Sequence, residues 1–281
     1  MTDTPSLVTV SAQIRQTAAD RPEHRAFIQD DATLSYRELD ALMDRVAAAL
    51  QRDGIRPTEA IAICGSNSIP YAALYLGALR AGVAVAPLSP SSKPEALGTM
   101  VDDAAARLFF VDAAAARSIG GTSLPSDCRL VTFGDEFDAW LAPAGTAPAP
   151  VLPQADWPFN IIYSSGTTGA PKGIVQPFGM RSVQLQRGSS TLSGYGPESI
   201  ALLSTPLYSN TTLVSFFSTL GNGGTVLLMA KFDALEYLKL AERHRVTHTM
   251  LVPVQYQRLM AHPEFDRFDL SSFQTKQSTS A

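Results

Sequence analysis

The sequence predicts an α/β protein built on a largely parallel sheet covered by helices, and three observations carry that expectation. Short apolar runs of strand length alternate with longer runs of helical period; the helical runs open on capping signals; and several close on glycine. Alternating strand and helix supplies the crossover connections that parallel strands need.

The elements follow in order. Ser35-Tyr36-Arg37-Glu38 is a capping box, and Leu39, Leu42, Met43, Val46, Ala47 and Leu50 recur at helical spacing up to Gly54. Ala60 to Cys64 reads as a strand, Pro70 to Ala81 as a helix closed by Gly82, and Val83 to Leu88 as the next strand. Ser92-Lys93-Pro94-Glu95 caps another helix, Arg107 to Val111 and Leu130 to Phe133 are strands, and Ala113 to Ala116 is helix or loop filler. From Ala142 to Pro158 the composition turns to Pro, Ala and Gly, a surface connection. Phe159 to Tyr163 is a short buried strand and Phe178 to Leu192 a helix. Strands at Ser199 to Ser204, Thr225 to Met229 and Val246 to Val252 then alternate with helices at Asn210 to Leu220, from the Asp233 capping box to about Arg245, and at Val254 to Met260 behind Pro253.

Composition excludes several function classes. With 281 residues, 45% apolar, 17% charged and a net charge of −4, the chain has the balance of a globular protein and no basic excess for nucleic acid or an anionic membrane. The N-terminus lacks a basic region followed by an apolar one, and no apolar run approaches bilayer length, so a cytoplasmic location without a transmembrane segment is expected. Cys64 and Cys128 stand far apart with no Cys-x-x-Cys; Cys64 reads as a buried thiol, and neither suggests a metal or redox site. His244 and His248 have the spacing of a helical metal pair, but the helical period ends near Arg245 and no carboxylate lies between them, so no metal site is expected. His24 and His262, in polar, Pro-flanked surroundings, read as solvated.

Chemistry enters at Asn160 to Gly173. An apolar run opens directly into Ser164-Ser165-Gly166-Thr167-Thr168-Gly169-Ala170-Pro171-Lys172-Gly173. Glycines let backbone N–H groups approach an anion, hydroxyls donate to phosphate oxygens, and a lysine adds a mobile positive charge. A P-loop requires Gly, four residues, then Gly-Lys-Ser/Thr. Counted from Gly166, the second glycine position is Pro171 and the hydroxyl position is Gly173, which argues against a Walker-type NTP hydrolase.

Tyr163 to Gly173 closely resembles the phosphate loop of the AMP-forming adenylating enzymes: acyl-CoA synthetases, luciferase-like proteins and peptide-synthetase adenylation domains. Gly77 to Leu88, Thr205-Pro206-Leu207-Tyr208 and Gly223-Gly224-Thr225-Val226 are similar to further signatures of that family, so the resemblance covers most of the chain. It implies an N-terminal domain, residues 1–281, of two similar largely parallel sheets: one within 60–195 carrying the phosphate loop, the other from 25–59 with 199–281. It further implies that a carboxylic acid attacks the α-phosphate of ATP to give an acyl-adenylate, which coenzyme A then intercepts. In that reading Ser164, Ser165, Gly166, Thr167, Thr168 and Gly169 gather the phosphates, and Lys172 offsets charge on the departing pyrophosphate. Tyr208, Ser209, Thr211, Thr279, Ser280 and Ala281 fall on segments that line the family's acyl and adenine pocket.

Two departures accompany the resemblance. Ser209 stands where the family commonly has histidine, and the chain stops before the segments that supply the magnesium-binding glutamate, the ribose-binding aspartate and the lysine-bearing C-terminal domain. The expectation is therefore an inactive N-terminal portion whose incompletely covered second sheet leaves it self-associating or its last residues poorly ordered, or a non-catalytic nucleotide- or acyl-binding module. Asn210, Thr211, Thr212 and Ser215 make the post-Tyr208 helix more polar than a fatty pocket needs, while Leu213, Val214, Phe216 and Phe217 alternate with them; a fatty or aryl acid is the expected substrate.

Overall fold

The structure, a computed structural model, describes residues 7–121, 123–164, 171–188 and 194–279. Among the described residues the strands are β1 (Arg25–Gln29), β2 (Ala32–Ser35), β3 (Ala60–Cys64), β4 (Ala84–Leu88), β5 (Leu108–Val111), β6 (Arg129–Thr132), β7 (Pro158–Ser164), β8 (Lys172–Pro177), β9 (Ile200–Leu203), β10 (Thr225–Leu228), β11 (His248–Leu251) and β12 (Thr275–Ser278). They form two sheets of six, ordered β6-β5-β3-β4-β7-β8 and β12-β11-β9-β10-β1-β2. In each sheet every pairing is parallel except the last, where β7 with β8, and β1 with β2, run antiparallel. Both sheets are thus mixed, each ending on a hairpin.

The chain divides into two compact units. One comprises the chain up to Ser11, Asp40–Ser66 and Pro70–Val183; the other comprises Ala12–Leu39, Asn67–Ile69 and the chain from Gln184 onward.

In the first unit β3 and β4 are buried at every position, as continuous apolar strands with both faces covered must be. Pro87 interrupts β4 without breaking its ladder to β3; against β7 the register is the single pair Val85 with Asn160, fitting a strand that lacks one N–H. Helix Ile69–Arg80 is buried from Tyr71 through Leu79, the pattern of a central helix. Gly77 lets it approach helix Tyr36–Arg52, because a Cβ there would fall 2.4 Å from Val46 Cβ. Beside this contact Arg80, 8% exposed, meets Asp40 at 2.5 Å and Asp44 at 2.9 Å, so its charge is buried with two counter-charges. The remaining core gathers Leu97, Met100, Phe109 and Val111.

In the second unit Leu202, Leu227, Tyr237, Leu238 and Leu251 form the core between sheet and helices. Tyr36, fully buried, places its hydroxyl 2.7 Å from Gly224 O and 3.1 Å from Leu220 O. Burial raises its pKa, so it stays a neutral donor.

Most expected elements stand within two residues of their bounds, and several differ. The helix expected from Phe178 to Leu192 is described over Phe178–Gly188, with 189–193 outside the described residues. Lys93 is the N-cap of helix Pro94–Asp103 and makes no side-chain capping bond; Pro94 at the first helical position explains the start better than Ser92. Ala113 to Ala116 belong to helix Ala113–Ile119, whose N-cap Asp112 accepts from Ala115 N. Asp233 caps helix Ala234–Arg243 through Glu236 N, and that helix stops short of Arg245, which has φ +49°. The connection after β6 contains helix Asp135–Trp140, in which Phe137 and Trp140 are buried. His24 is half-buried and stacked on Tyr36 rather than solvated. Among the described residues no helix is long and apolar enough to cross a membrane.

Candidate functional site

The phosphate-binding candidates lie on the β7–β8 hairpin at the edge of the first sheet. Ser164 ends β7, Lys172 begins β8, and the two are paired across the ladder, so the loop between them leaves and returns at neighbouring backbone positions. Ser165, Gly166, Thr167, Thr168 and Gly169 lie outside the described residues. Lys172 is exposed and belongs to a strand rather than a free loop, which ties its Cα to the ladder. β7 is only partly buried: Phe159 and Asn160 are enclosed, while Ile161 to Tyr163 are half-covered and Ser164 is exposed.

Two fastenings hold the hairpin. Near the loop, Tyr163 is paired with Gly173, and its hydroxyl lies 2.6 Å from Asp103 Oδ2 and 3.0 Å from Met100 O. Burial and the adjacent carboxylate raise the Tyr163 pKa, keeping its proton for this contact. The Cα of Gly173 passes so close that a Cβ would sit 2.9 Å from Ile161 Cγ2, 3.1 Å from Asp103 Oδ2 and 3.2 Å from Tyr163 Cε1, which explains the glycine after the lysine. Toward the far end, Arg181 at the start of helix Phe178–Gly188 reaches Asn160 Oδ1 at 3.2 Å on β7 and Gln176 Oε1 on β8, and stacks over Phe159 at 5.6 Å. Burial lowers the Arg181 pKa. Asp103 and Arg181 carry no local motif; their roles appear only once the chain is folded.

The acyl-wall candidates lie in the second unit. Tyr208 and Ser209 occupy the turn from the end of β9 into helix Asn210–Gly221, which closes with Ser209 N donating to Pro206 O at 2.9 Å. Both side chains are half-buried, Thr211 is 8% exposed, and Ser209, the N-cap, makes no capping bond through its hydroxyl. The helix's inner hydroxyls have internal partners: Thr212 Oγ1 meets Thr205 Oγ1 at 2.6 Å, Ser215 Oγ meets Tyr195 Oη at 2.9 Å, and Thr219 Oγ1 donates to Ser215 O at 2.7 Å. Their polarity is taken up by the fold, and Leu213, Phe216 and Phe217 supply the helix's buried apolar surface. Thr279 follows β12 and donates from its N–H to Leu251 O at 3.3 Å; Ser280 and Ala281 lie outside the described residues. His244 caps a helix end and His248 is buried at the start of β11, stacked on Tyr195 at 4.4 Å. Among the described residues no three His, Cys, Asp or Glu side chains are grouped to hold a metal ion.

Two six-stranded mixed sheets flanked by helices, with a glycine- and hydroxyl-rich hairpin on one edge, define the N-terminal domain fold of adenylate-forming enzymes. A family model described as "AMP-binding enzyme" matches residues 14–281, and the chain belongs to that family. It is 30% identical over 277 residues to an indoleacetate–CoA ligase of Aromatoleum aromaticum, a match covering 94% of this chain and 53% of the relative. It is 29% identical over 258 residues to the nonribosomal peptide synthetase ivoA of Emericella nidulans, covering 89% of this chain and 14% of the relative. Among solved structures, the N-terminal domain of FACL13 from Mycobacterium tuberculosis superposes with a TM-score of 0.88 at 24% identity, covering 97% of this chain and 70% of that one. The chain spans about half the length of the CoA ligases it matches, 49% and 53%, and a small part of the peptide synthetases.

Proposed function

We propose that the protein carrying this chain is an acid–thiol ligase that activates a fatty or aryl carboxylic acid with ATP as an acyl-adenylate and passes it to coenzyme A. The observation that carries this reading is the pairing of Ser164 with Lys172, which closes a phosphate loop of the family's composition on a fastened hairpin. In the proposed reaction a carboxylate oxygen bonds to the α-phosphorus, the bond to the bridging oxygen breaks, and pyrophosphate leaves with that electron pair. Lys172 offsets the charge growing on pyrophosphate, while Ser164, Ser165, Thr167, Thr168 and the N–H groups around Gly166 and Gly169 orient the phosphates. Magnesium, the usual companion of ATP, would supply further charge neutralisation.

For the acid, Tyr208, Ser209 and Thr211 form one wall, with Thr279, Ser280 and Ala281 proposed beside the adenylate. The internal partners of Thr212 and Ser215 favour an apolar acyl or aryl group, because they leave the helix few hydroxyls to offer a polar one. Relatives named for indoleacetate and 4-coumarate add weight to aryl acids.

The test is carboxylate-dependent ATP–pyrophosphate exchange by the full-length protein across a panel of fatty, aryl and amino acids. Exchange with a fatty or aryl acid, followed by thioester formation with coenzyme A, is the expected result. Exchange with amino acids alone would replace the ligase reading with a peptide-synthetase one. Acid-independent release of ADP would overturn adenylation altogether.

A further inference from the structure

Asn67 is a polar side chain only 3% exposed, and no local motif marks it. Its Nδ2 donates to Thr205 O at 2.9 Å and to Met229 O at 3.1 Å, while its Oδ1 accepts from Leu207 N at 2.8 Å. Thr205 and Met229 lie just past the ends of β9 and β10, where carbonyls need partners once their strands stop. One amide therefore joins two strand ends to the turn Thr205–Ser209. The residue carrying it is itself held, since Gln29 at the end of β1 donates to Asn67 O at 3.1 Å and accepts from Ile69 N at 3.0 Å. The bond from Thr212 to Thr205 grips the same turn from the helix that follows.

We propose that Asn67 is a positioning residue for the carboxylic acid: by fixing Thr205 and Leu207 it sets where Tyr208 and Ser209 stand. This rests on the reading of Tyr208 and Ser209 as acyl wall. The geometry asks for an amide in particular. Two carbonyls require two donors and one N–H requires an acceptor, all within one short side chain. Aspartate would set a carboxylate against two carbonyl oxygens, leucine would leave three buried backbone groups unpaired, and glutamine is one methylene too long for a site this enclosed.

Asn67→Ala in the full-length protein provides the test, with two readouts. Amide hydrogen exchange at Leu207 should speed up about tenfold or more, while Val226 and Leu227 in β10 stay within about twofold of wild type. In pyrophosphate exchange the KM for the acid should rise about tenfold and that for ATP change by less than about twofold. Gln29→Ala, which loosens the Asn67 backbone from a half-buried position, should shift both readouts in the same direction by less, and it carries the test if Asn67→Ala does not fold. Unchanged Leu207 exchange overturns the inference, as does an equal rise in both KM values accompanied by a lowered melting temperature, the mark of a merely structural role. An active wild type with an unmoved acid KM in the variants sinks this role alone; a wild type inactive with every acid sinks the functional reading and this role with it.

Discussion

The two sheets are built to one plan and differ in what their hairpins hold. In each, two adjacent central strands, β3 and β4 or β9 and β10, are flanked on one side by the next two strands and on the other by an antiparallel pair that forms the edge. The hairpins correspond residue by residue. Gln29 pairs with Ala32 and Ile28 with Thr33 in one; Ser164 pairs with Lys172 and Tyr163 with Gly173 in the other. Each is closed at its base by the same kind of bond, Tyr36 N to His24 O at 2.8 Å and Phe178 N to Trp157 O at 3.0 Å. The β1–β2 connection is two residues, Asp30-Asp31, with Asp30 at φ +50°, a conformation aspartate tolerates. The β7–β8 connection carries the Ser/Thr/Gly loop. On a shared scaffold with unequal loops, the proposed chemistry falls in the connection rather than the sheet.

The largest expected effect separates the hairpins most sharply. Lys172→Ala should lower pyrophosphate exchange by the full-length protein about 10²- to 10³-fold, the usual cost of removing one preorganised donor of charge stabilisation. Its melting temperature should barely change, because the side chain is exposed. Asp31→Ala, in the other hairpin's turn, should change exchange by less than about twofold. Comparable losses in both would show that the hairpins are not functionally distinct.

Next in size comes Gly173→Ala. The equivalent position of β2 is Thr33, which carries a side chain without difficulty, whereas a Cβ on Gly173 meets Ile161, Asp103 and Tyr163 at 2.9–3.2 Å. A destabilisation of about 1–3 kcal/mol is expected, measured by urea unfolding, together with weaker ATP use. Tyr163→Phe should follow at about 1 kcal/mol, with a KM for ATP raised severalfold, since it removes only the hydroxyl that meets Asp103 and Met100. If Tyr163→Phe left ATP use untouched, the fastening near the loop would be structural only.

What the sequence disclosed follows the range of the forces involved. The buried strands and long helices were legible because their apolar periods are local, and the proposed phosphate loop because its residues are adjacent. The hairpins were not. β1 offers only Ala26, Phe27 and Ile28 as an apolar run, and β8 sets Ile174 next to Val175 between Gly173 and Gln176 and is mostly exposed, so neither shows a period. The fastenings were invisible for a different reason: Asp103 meets Tyr163 across 60 residues and Asn67 meets Leu207 across 140, and nothing near either residue marks it. Helix Asp135–Trp140 is too short for its period to register among small residues.

The smallest expected effect tests the bases of the two hairpins. Trp157 holds one base and does not titrate; His24 holds the other, half-buried and stacked on Tyr36 with a centroid distance of 6.0 Å. Burial lowers the His24 pKa below its ordinary 6.5, and the Arg21 and Arg25 guanidinium groups push the same way against a smaller opposing pull from Glu198 and a backbone bond to Pro197. The folded state therefore binds fewer protons than the unfolded chain between the lowered pKa and 6.5. The associated stability is present above that pH and is lost as pH falls through the folded value. His24→Phe keeps a ring for the stack and removes the titration. Between pH 7.5 and 5.5, a window placed about one unit either side of the unperturbed imidazole value, the wild-type melting temperature should fall more than that of the variant. Hydrogen exchange should place the extra loss at Phe27 and Ile28 in β1 rather than at Asn160 and Ile161 in β7. Parallel declines for the two proteins would mean that the imidazole takes up its proton in the folded state as readily as in the unfolded chain, and that the two bases are alike in chemistry as well as in geometry.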